Sequence, residues 1–151
     1  MSDKDILEID GSFGEGGGAI LRLSAGFSVL FDQPIRVTNI RANRSTPGLR
    51  LQHLLGLQAL AELTSSQLSE CQVGTQEIEL IPGQNYTEDV RLDVRTAASL
   101  GLLLQPLQIA AFGLEPSKAF EVHLNGGGTH GKWAPGLTYL RNVTYELFKN
   151  S

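Results

Sequence analysis

Apolar and polar positions along the chain follow two periods, and the changes of period mark out the elements. Ile6 to Ile9 is a short apolar run of strand length that ends at Gly11-Ser12-Phe13-Gly14-Glu15-Gly16-Gly17-Gly18. From Ala19 to Phe31 the period becomes helical, with Ile20, Leu23, Phe27, Leu30 and Phe31 on one stripe and Arg22 on the opposite face. Pro34 to Arg41, carrying Ile35, Val37 and Ile40, reads as a strand, and Ser45-Thr46-Pro47-Gly48 as a turn. A second helix is predicted over Leu49 to Leu63. Its leucines at 51, 54, 55, 57, 60 and 63 surround the axis, which predicts cover on more than one side. Val73-Gly74 and Glu77 to Ile81, stopped by Pro82-Gly83, read as a closing pair of strands.

The pattern then restarts. A strand is predicted over Asp89 to Val94, a helix over Ala97 to Phe112, a strand over Ala119 to Leu124, glycines at 126 to 128, and a helix over Leu137 to Phe148. This is a repeat with a period of about 80 residues. The predicted class is α+β, built of βαβαββ units with two helices packed on one face of each sheet. Residues 1–83 form the first unit and 84–151 a partial second unit. Its missing closing strands predict a natural domain that continues past residue 151.

Composition narrows the class. With 41% hydrophobic and 19% charged residues, the 151-residue chain suits a soluble globular protein with a core. No run reaches the roughly 18 apolar residues of a membrane span, and the acidic start from Met1 to Asp10 does not read as a secretory signal. The expectation is a cytoplasmic protein with no membrane partner. Cys71 is the only cysteine, so no internal disulfide or cysteine zinc cluster is expected. His53, His123 and His130 show no metal-ligand spacing.

Net charge is −4, yet residues 16 to 61 hold Arg22, Arg36, Arg41, Arg44 and Arg50 against Asp32 alone, with no lysine. The planar arginine fork matches phosphate oxygens, which a general solvating surface does not require. The glycine-rich stretch lies between a strand and a helix, where backbone N–H groups can approach phosphate at the positive helix end. It lacks the Gly-Lys-Ser/Thr ending of a Walker loop and the last glycine of the dinucleotide fingerprint. A carboxylate at Glu15 would repel phosphate there unless it holds a divalent cation or faces a basic partner.

The segment Gly14-Glu15-Gly16-Gly17-Gly18-Ala19-Ile20-Leu21-Arg22 resembles the opening signature of the RNA 3'-terminal phosphate cyclases. Asn39 to Arg44, Pro47-Gly48-Leu49-Arg50 and Gln52-His53-Leu54 resemble that family's second block. Leu102 to Gln105, Gly127-Gly128-Thr129 and Ala134-Pro135 extend the likeness toward the end of the chain.

The resemblance implies an ATP-dependent enzyme that passes AMP through a histidine to an RNA 3'-phosphate end, which the 2'-hydroxyl then cyclises. Glu15 would hold a divalent metal, Mg or Mn. Arg22, Arg41 and Arg44 would bind phosphates, Gln52 and His53 would orient them, and Gln105 would contact the nucleotide. The family's adenylylated histidine would lie beyond residue 151, so the chain alone would be inactive. Self-association, or association with the missing C-terminal half, is expected at the incomplete sheet. Pro106 directly after Gln105 predicts a kink there. Two other readings remain: a non-catalytic cyclase-like protein that binds RNA or assists ribosome assembly, and an enolpyruvyl transferase of similar fold.

Overall fold

The computed structural model describes residues 4–115, 117–132 and 134–149. Strand β1 (Leu7–Asp10) leads through the glycine-rich loop into helix α1 (Gly18–Leu30), and β2 (Ile35–Thr38) returns parallel to β1, with Leu7 opposite Ile35 and Asp10 opposite Thr38. Helix α2 (Leu51–Thr64) follows. Strands β3 (Gln67–Leu68) and β4 (Ile78–Ile81) then complete a four-stranded sheet of order β1-β2-β4-β3, in which β4 runs antiparallel to both β2 and β3.

Alternation along the strands decides which face of the sheet the helices cover. Ile35, Val37, Ile78 and Leu80 are buried and join Leu21, Ala25 and Val29 of α1 and Leu57, Leu60 and Leu63 of α2 in one core. On the opposite face Arg36 pairs with Glu8, Glu77 and Glu79. That network consumes one of the five arginines of the basic stretch.

The second sheet has two strands, β5 (Asp89–Ser99) and β6 (Glu121–Gly128), paired in parallel around helix α3 (Leu100–Ala111). The C-terminal helical segment begins as α4 (Leu137–Tyr139), passes through a π turn at 140–144 and ends as α5 (Tyr145–Lys149). Helix α3 packs on both α1 and α2, and Val90, Leu107 and Ala110 join the first core. Glycines set these helix contacts. A Cβ at Gly26 would lie 2.7 Å from the Ile109 Cβ, and one at Gly56 would lie 2.9 Å from the Leu103 carbonyl oxygen.

The class is α+β, and three details of the sequence reading change. Val73-Gly74 is a turn, with Gly74 at φ +93°, and the partner of β4 is Gln67–Leu68 instead. Residues 97 to 99 extend β5, and α3 begins only after Ser99, whose hydroxyl caps it by accepting from the Leu102 N–H at 3.4 Å. Helix α3 has Pro106 in its interior, as the helix predicted over 97–112 does.

The third change concerns α1. Its buried face is Leu21, Ala25, Gly26, Ser28 and Val29, whereas the larger apolar side chains that form the obvious stripe face outward: Leu23 is 38% exposed, Phe27 43% and Phe31 68%. The small residues are buried because α3 approaches closely at Gly26. Phe27 and Phe31 stack on each other at 5.8 Å. The stripe separates two apolar hollows, one of 360 Å³ against Leu7 and Ile9 of β1 and one of 320 Å³ against Ile109, Phe112 and Phe148.

Candidate functional site

The glycine-rich loop is held by short-range polar contacts at both ends. Asp10 Oδ1 accepts from the Ser12 N–H at 3.0 Å, the Ser12 hydroxyl at 2.7 Å and Asn39 Nδ2 at 3.2 Å, and these donors hold its carboxyl below the usual aspartate range. Asn43 Nδ2 donates to the Ser12 carbonyl at 3.1 Å. The turns need left-handed backbone at Gly14 (φ +64°) and Gly16 (φ +57°), which glycine adopts freely. The loop delivers Gly17 as the N-cap of α1, a residue with no side chain to cap the first-turn N–H groups.

That helix end lines a cavity of 620 Å³ together with four arginines, at 22, 41, 44 and 50. The uncapped amides and the positive helix end add to the same field. A larger hollow of 870 Å³ beside α2 has Glu62 and Glu70 in its wall and no arginine or lysine, which disfavours an anion there.

Three of the four cations in the cradle are anchored by contacts with other residues of the chain. Arg22 Nε donates to Gln105 Oε1 at 2.8 Å, and burial lowers its pKa. Arg41 stands at φ +54° and turns Nη1 back to the carbonyls of Thr46 (2.7 Å) and Gly48 (2.9 Å). Its pKa is lowered first by burial and then by the charges of Arg50 and Arg44. Arg44 Nη2 lies 3.1 Å from Glu15 Oε2, an exposed pair. Gly17 makes room for it, because a Cβ there would lie 2.9 Å from Arg44 Nη2.

His53 is buried at the start of α2. Its Nδ1 accepts from the Arg50 backbone N–H at 3.1 Å, and the His53 backbone N–H donates to the Arg50 carbonyl at 2.9 Å. Burial first, then the charges of Arg22, Arg41 and Arg50, push its pKa down to about 3. It is therefore a neutral imidazole at any ordinary pH. Gln52, also in the cavity wall, accepts from the Ser99 N–H through Oε1 at 3.3 Å and so ties α2 to the start of α3.

The structure thus brings Glu15, Arg22, Arg41, Arg44, Gln52 and His53 to one cavity. Gln105 sits behind Arg22 and lines the apolar hollow beside α1 rather than the cradle, so its visible task is to orient the guanidinium. Arg50 joins the wall although the motif pattern assigned it no role; its place in the arginine cluster was the available signal. His123 also gains neighbours that spacing had hidden. Its Nε2 lies 3.0 Å from Asp89 and 3.2 Å from Glu121, because β5 and β6 pair in register there.

The RNA 3'-terminal phosphate cyclase family matches residues 13–151. The chain belongs to that family. It is 47% identical over 144 residues to an RNA 3'-terminal phosphate cyclase of Thermococcus kodakarensis, covering 95% of this chain and 40% of the relative. Cyclases of Thermococcus gammatolerans and Methanopyrus kandleri are 45% and 43% identical over 138 residues each, covering 91% of this chain and 39% and 38% of theirs. The chain thus spans about two fifths of the length of these cyclases. Membership in the cyclase family leaves the enolpyruvyl transferase reading without support.

Proposed function

We propose that the cradle at the N-terminal end of α1 is the phosphate-binding part of an ATP-dependent site that converts RNA 3'-phosphate ends to 2',3'-cyclic phosphates. The observation that carries this reading is the convergence of four arginines, a neutral histidine and an uncapped helix N-terminus on one cavity. In phosphoryl and nucleotidyl transfer, charge neutralisation and alignment do most of the catalytic work, and these residues can supply both.

In this reading a histidine outside the three present here attacks the α-phosphorus of ATP and releases pyrophosphate. A 3'-phosphate oxygen of the RNA then attacks the same phosphorus and frees the histidine. Attack of the 2'-hydroxyl oxygen on the 3'-phosphorus forms the cyclic diester, loses its proton and expels AMP. Arg22, Arg41, Arg44 and Arg50 neutralise the phosphates, and His53 donates without changing charge. Gln105 orients Arg22, while Gln52 fixes the junction of α2 and α3 beside the wall.

A divalent ion fits the donor set in one mode only. Glu15 offers a single exposed carboxylate. Magnesium-type ions commonly take one or two carboxylates and complete the shell with phosphate oxygens and water. Bound in that way, the ion would neutralise charge on the phosphates of ATP.

Partners follow the same logic. RNA 3'-phosphate ends suit the cradle, and the apolar flank of α1 suits a second copy or the remaining portion of a cyclase. Among the described residues no helix is long and apolar enough to cross a membrane.

Titration calorimetry with ATP tests the reading. The wild-type chain should bind, and Arg22→Met should weaken binding by about tenfold or more, since a hydrogen bond to a charged group contributes roughly 1.5–3 kcal/mol. Equal affinity in the two proteins would remove the phosphate role of the cradle. Incubation with α-labelled ATP should leave no acid-labile label on the chain, and label on His53, His123 or His130 would show a nucleophile within it.

A further inference from the structure

A neutral imidazole has one nitrogen that donates and one that accepts. His53 has a polar neighbour at each. The Arg50 N–H lies 3.1 Å from Nδ1, and Arg22 Nη1 lies 3.4 Å from Nε2. Both neighbours are donors, because a guanidinium has no acceptor. Only one contact can be a hydrogen bond in a neutral ring.

Two observations decide which. The Nδ1 contact is the shorter, and it is fixed by backbone, since the His53 N–H donates back to the Arg50 carbonyl at 2.9 Å across the first turn of α2. The Nε2 contact reaches a side chain whose Nε is already engaged by Gln105. The proton therefore sits on Nε2, which faces Arg22 donor to donor. Among the described residues Nε2 has no acceptor. Protonation at both nitrogens would leave the Arg50 N–H facing a third donor and add charge beside Arg22, Arg41 and Arg50, in keeping with a pKa of about 3.

We infer that His53 Nε2–H and Arg22 Nη1 form a two-donor seat for a single unprotonated phosphate oxygen, with the imidazole locked in the Nε2–H tautomer by the backbone of Arg50. Gly18 leaves the seat open: a Cβ there would lie 2.2 Å from His53 Nε2 and 2.8 Å from Arg22 Nη1. The seat rests on the phosphate reading of the cavity and adds to it which atoms meet the oxygen and in which protonation state. A hydroxyl or amide N–H offered to the seat as a donor would be rejected, because both seat groups are themselves donors.

The test uses the whole chain with 15N-labelled histidine. Long-range proton–nitrogen spectra at neutral pH, with His53 assigned by its loss in His53→Gln, should show a protonated Nε2 and a bare Nδ1. Added inorganic phosphate should move the Nε2 resonance. A proton on Nδ1 with phosphate binding retained would overturn the seat alone. Absence of any phosphate binding would overturn the phosphate reading of the cavity and the seat with it.

Two substitutions give an independent readout, because a glutamine amide reaches the Nε2 position and an asparagine amide the Nδ1 position. His53→Gln should lose less phosphate affinity than His53→Asn, which should lose about tenfold, the scale of one charge-assisted hydrogen bond. The reverse order would overturn the tautomer.

Discussion

The N-terminal end of α1 and its outer flank are made of opposite materials and are finished to different degrees. At the N-terminal end three of the four arginines are anchored by their own chain: Arg22 by Gln105, Arg41 by two loop carbonyls, Arg44 by Glu15. On the flank, Leu23, Phe27 and Phe31 stand exposed between two apolar hollows. Contiguous apolar surface of that kind marks an interface. The cradle is thus organised without any partner, whereas the flank has the character of a surface awaiting one.

The sharpest way to break this contrast is at Gly18. Gly18→Ala puts a methyl group into the seat, 2.2 Å from His53 Nε2. It should reduce phosphate affinity by more than about tenfold, the value of one charge-assisted hydrogen bond, with helix content unchanged by circular dichroism. Retained affinity would mean that His53 and Arg22 do not meet the ligand at this point.

Next in size is a pH effect confined to the cradle. The folded pKa of His53 lies below the unfolded value, so the unfolded chain binds the extra proton. The stability is fully present above about pH 6.5 and is lost as pH falls from there toward 3, at about 1.4 kcal/mol per pH unit from this one group. Denaturant melts of wild type and His53→Gln should differ by this slope across that window. Parallel curves would show that the imidazole is not held neutral.

On the flank, the double substitution Phe27→Ser with Phe31→Ser should abolish self-association in sedimentation experiments. Phosphate affinity should stay within about twofold, as expected for surface changes away from the site. A matching loss of affinity would join the two regions into one. The smallest expected effect is that of Arg44→Lys, which keeps charge but loses the fork and should weaken ATP binding by about two- to fivefold. Full affinity would make the Arg44–Glu15 pair a surface ion pair and nothing more.

The same contrast explains what could be read from sequence. Hydrophobic period located α1, α2, β2 and β4 to within a few residues, because each buries a face at its own repeat. It misplaced the buried face of α1, because close helix packing selected Gly26, Ala25 and Ser28 for the core and left the large side chains outside. It missed β3, a two-residue strand whose pairing is set by β4 and not by its own pattern. Six of the motif residues line one cavity, and Gln105 lies outside it, behind Arg22. Their partners did not announce themselves, since Gln105, Ser99 and Glu15 lie 83, 47 and 29 positions from Arg22, Gln52 and Arg44. Arg36, counted in the same basic stretch, pairs with three glutamates across the far face of the sheet. Charge clustering in sequence cannot tell the two faces of a strand apart until register is known.

The most direct measurement compares two short oligoribonucleotides that differ only at the last 3' oxygen, one phosphorylated and one a free hydroxyl, in equilibrium binding to the wild-type chain at fixed salt. If the cradle takes a terminal phosphate, the phosphorylated strand should bind at least about tenfold more tightly, the worth of one charge-assisted contact. That preference should shrink in Arg22→Met. Equal affinity for the two ends, or a preference that survives loss of Arg22, would contradict the assignment of this cavity to the RNA 3'-phosphate.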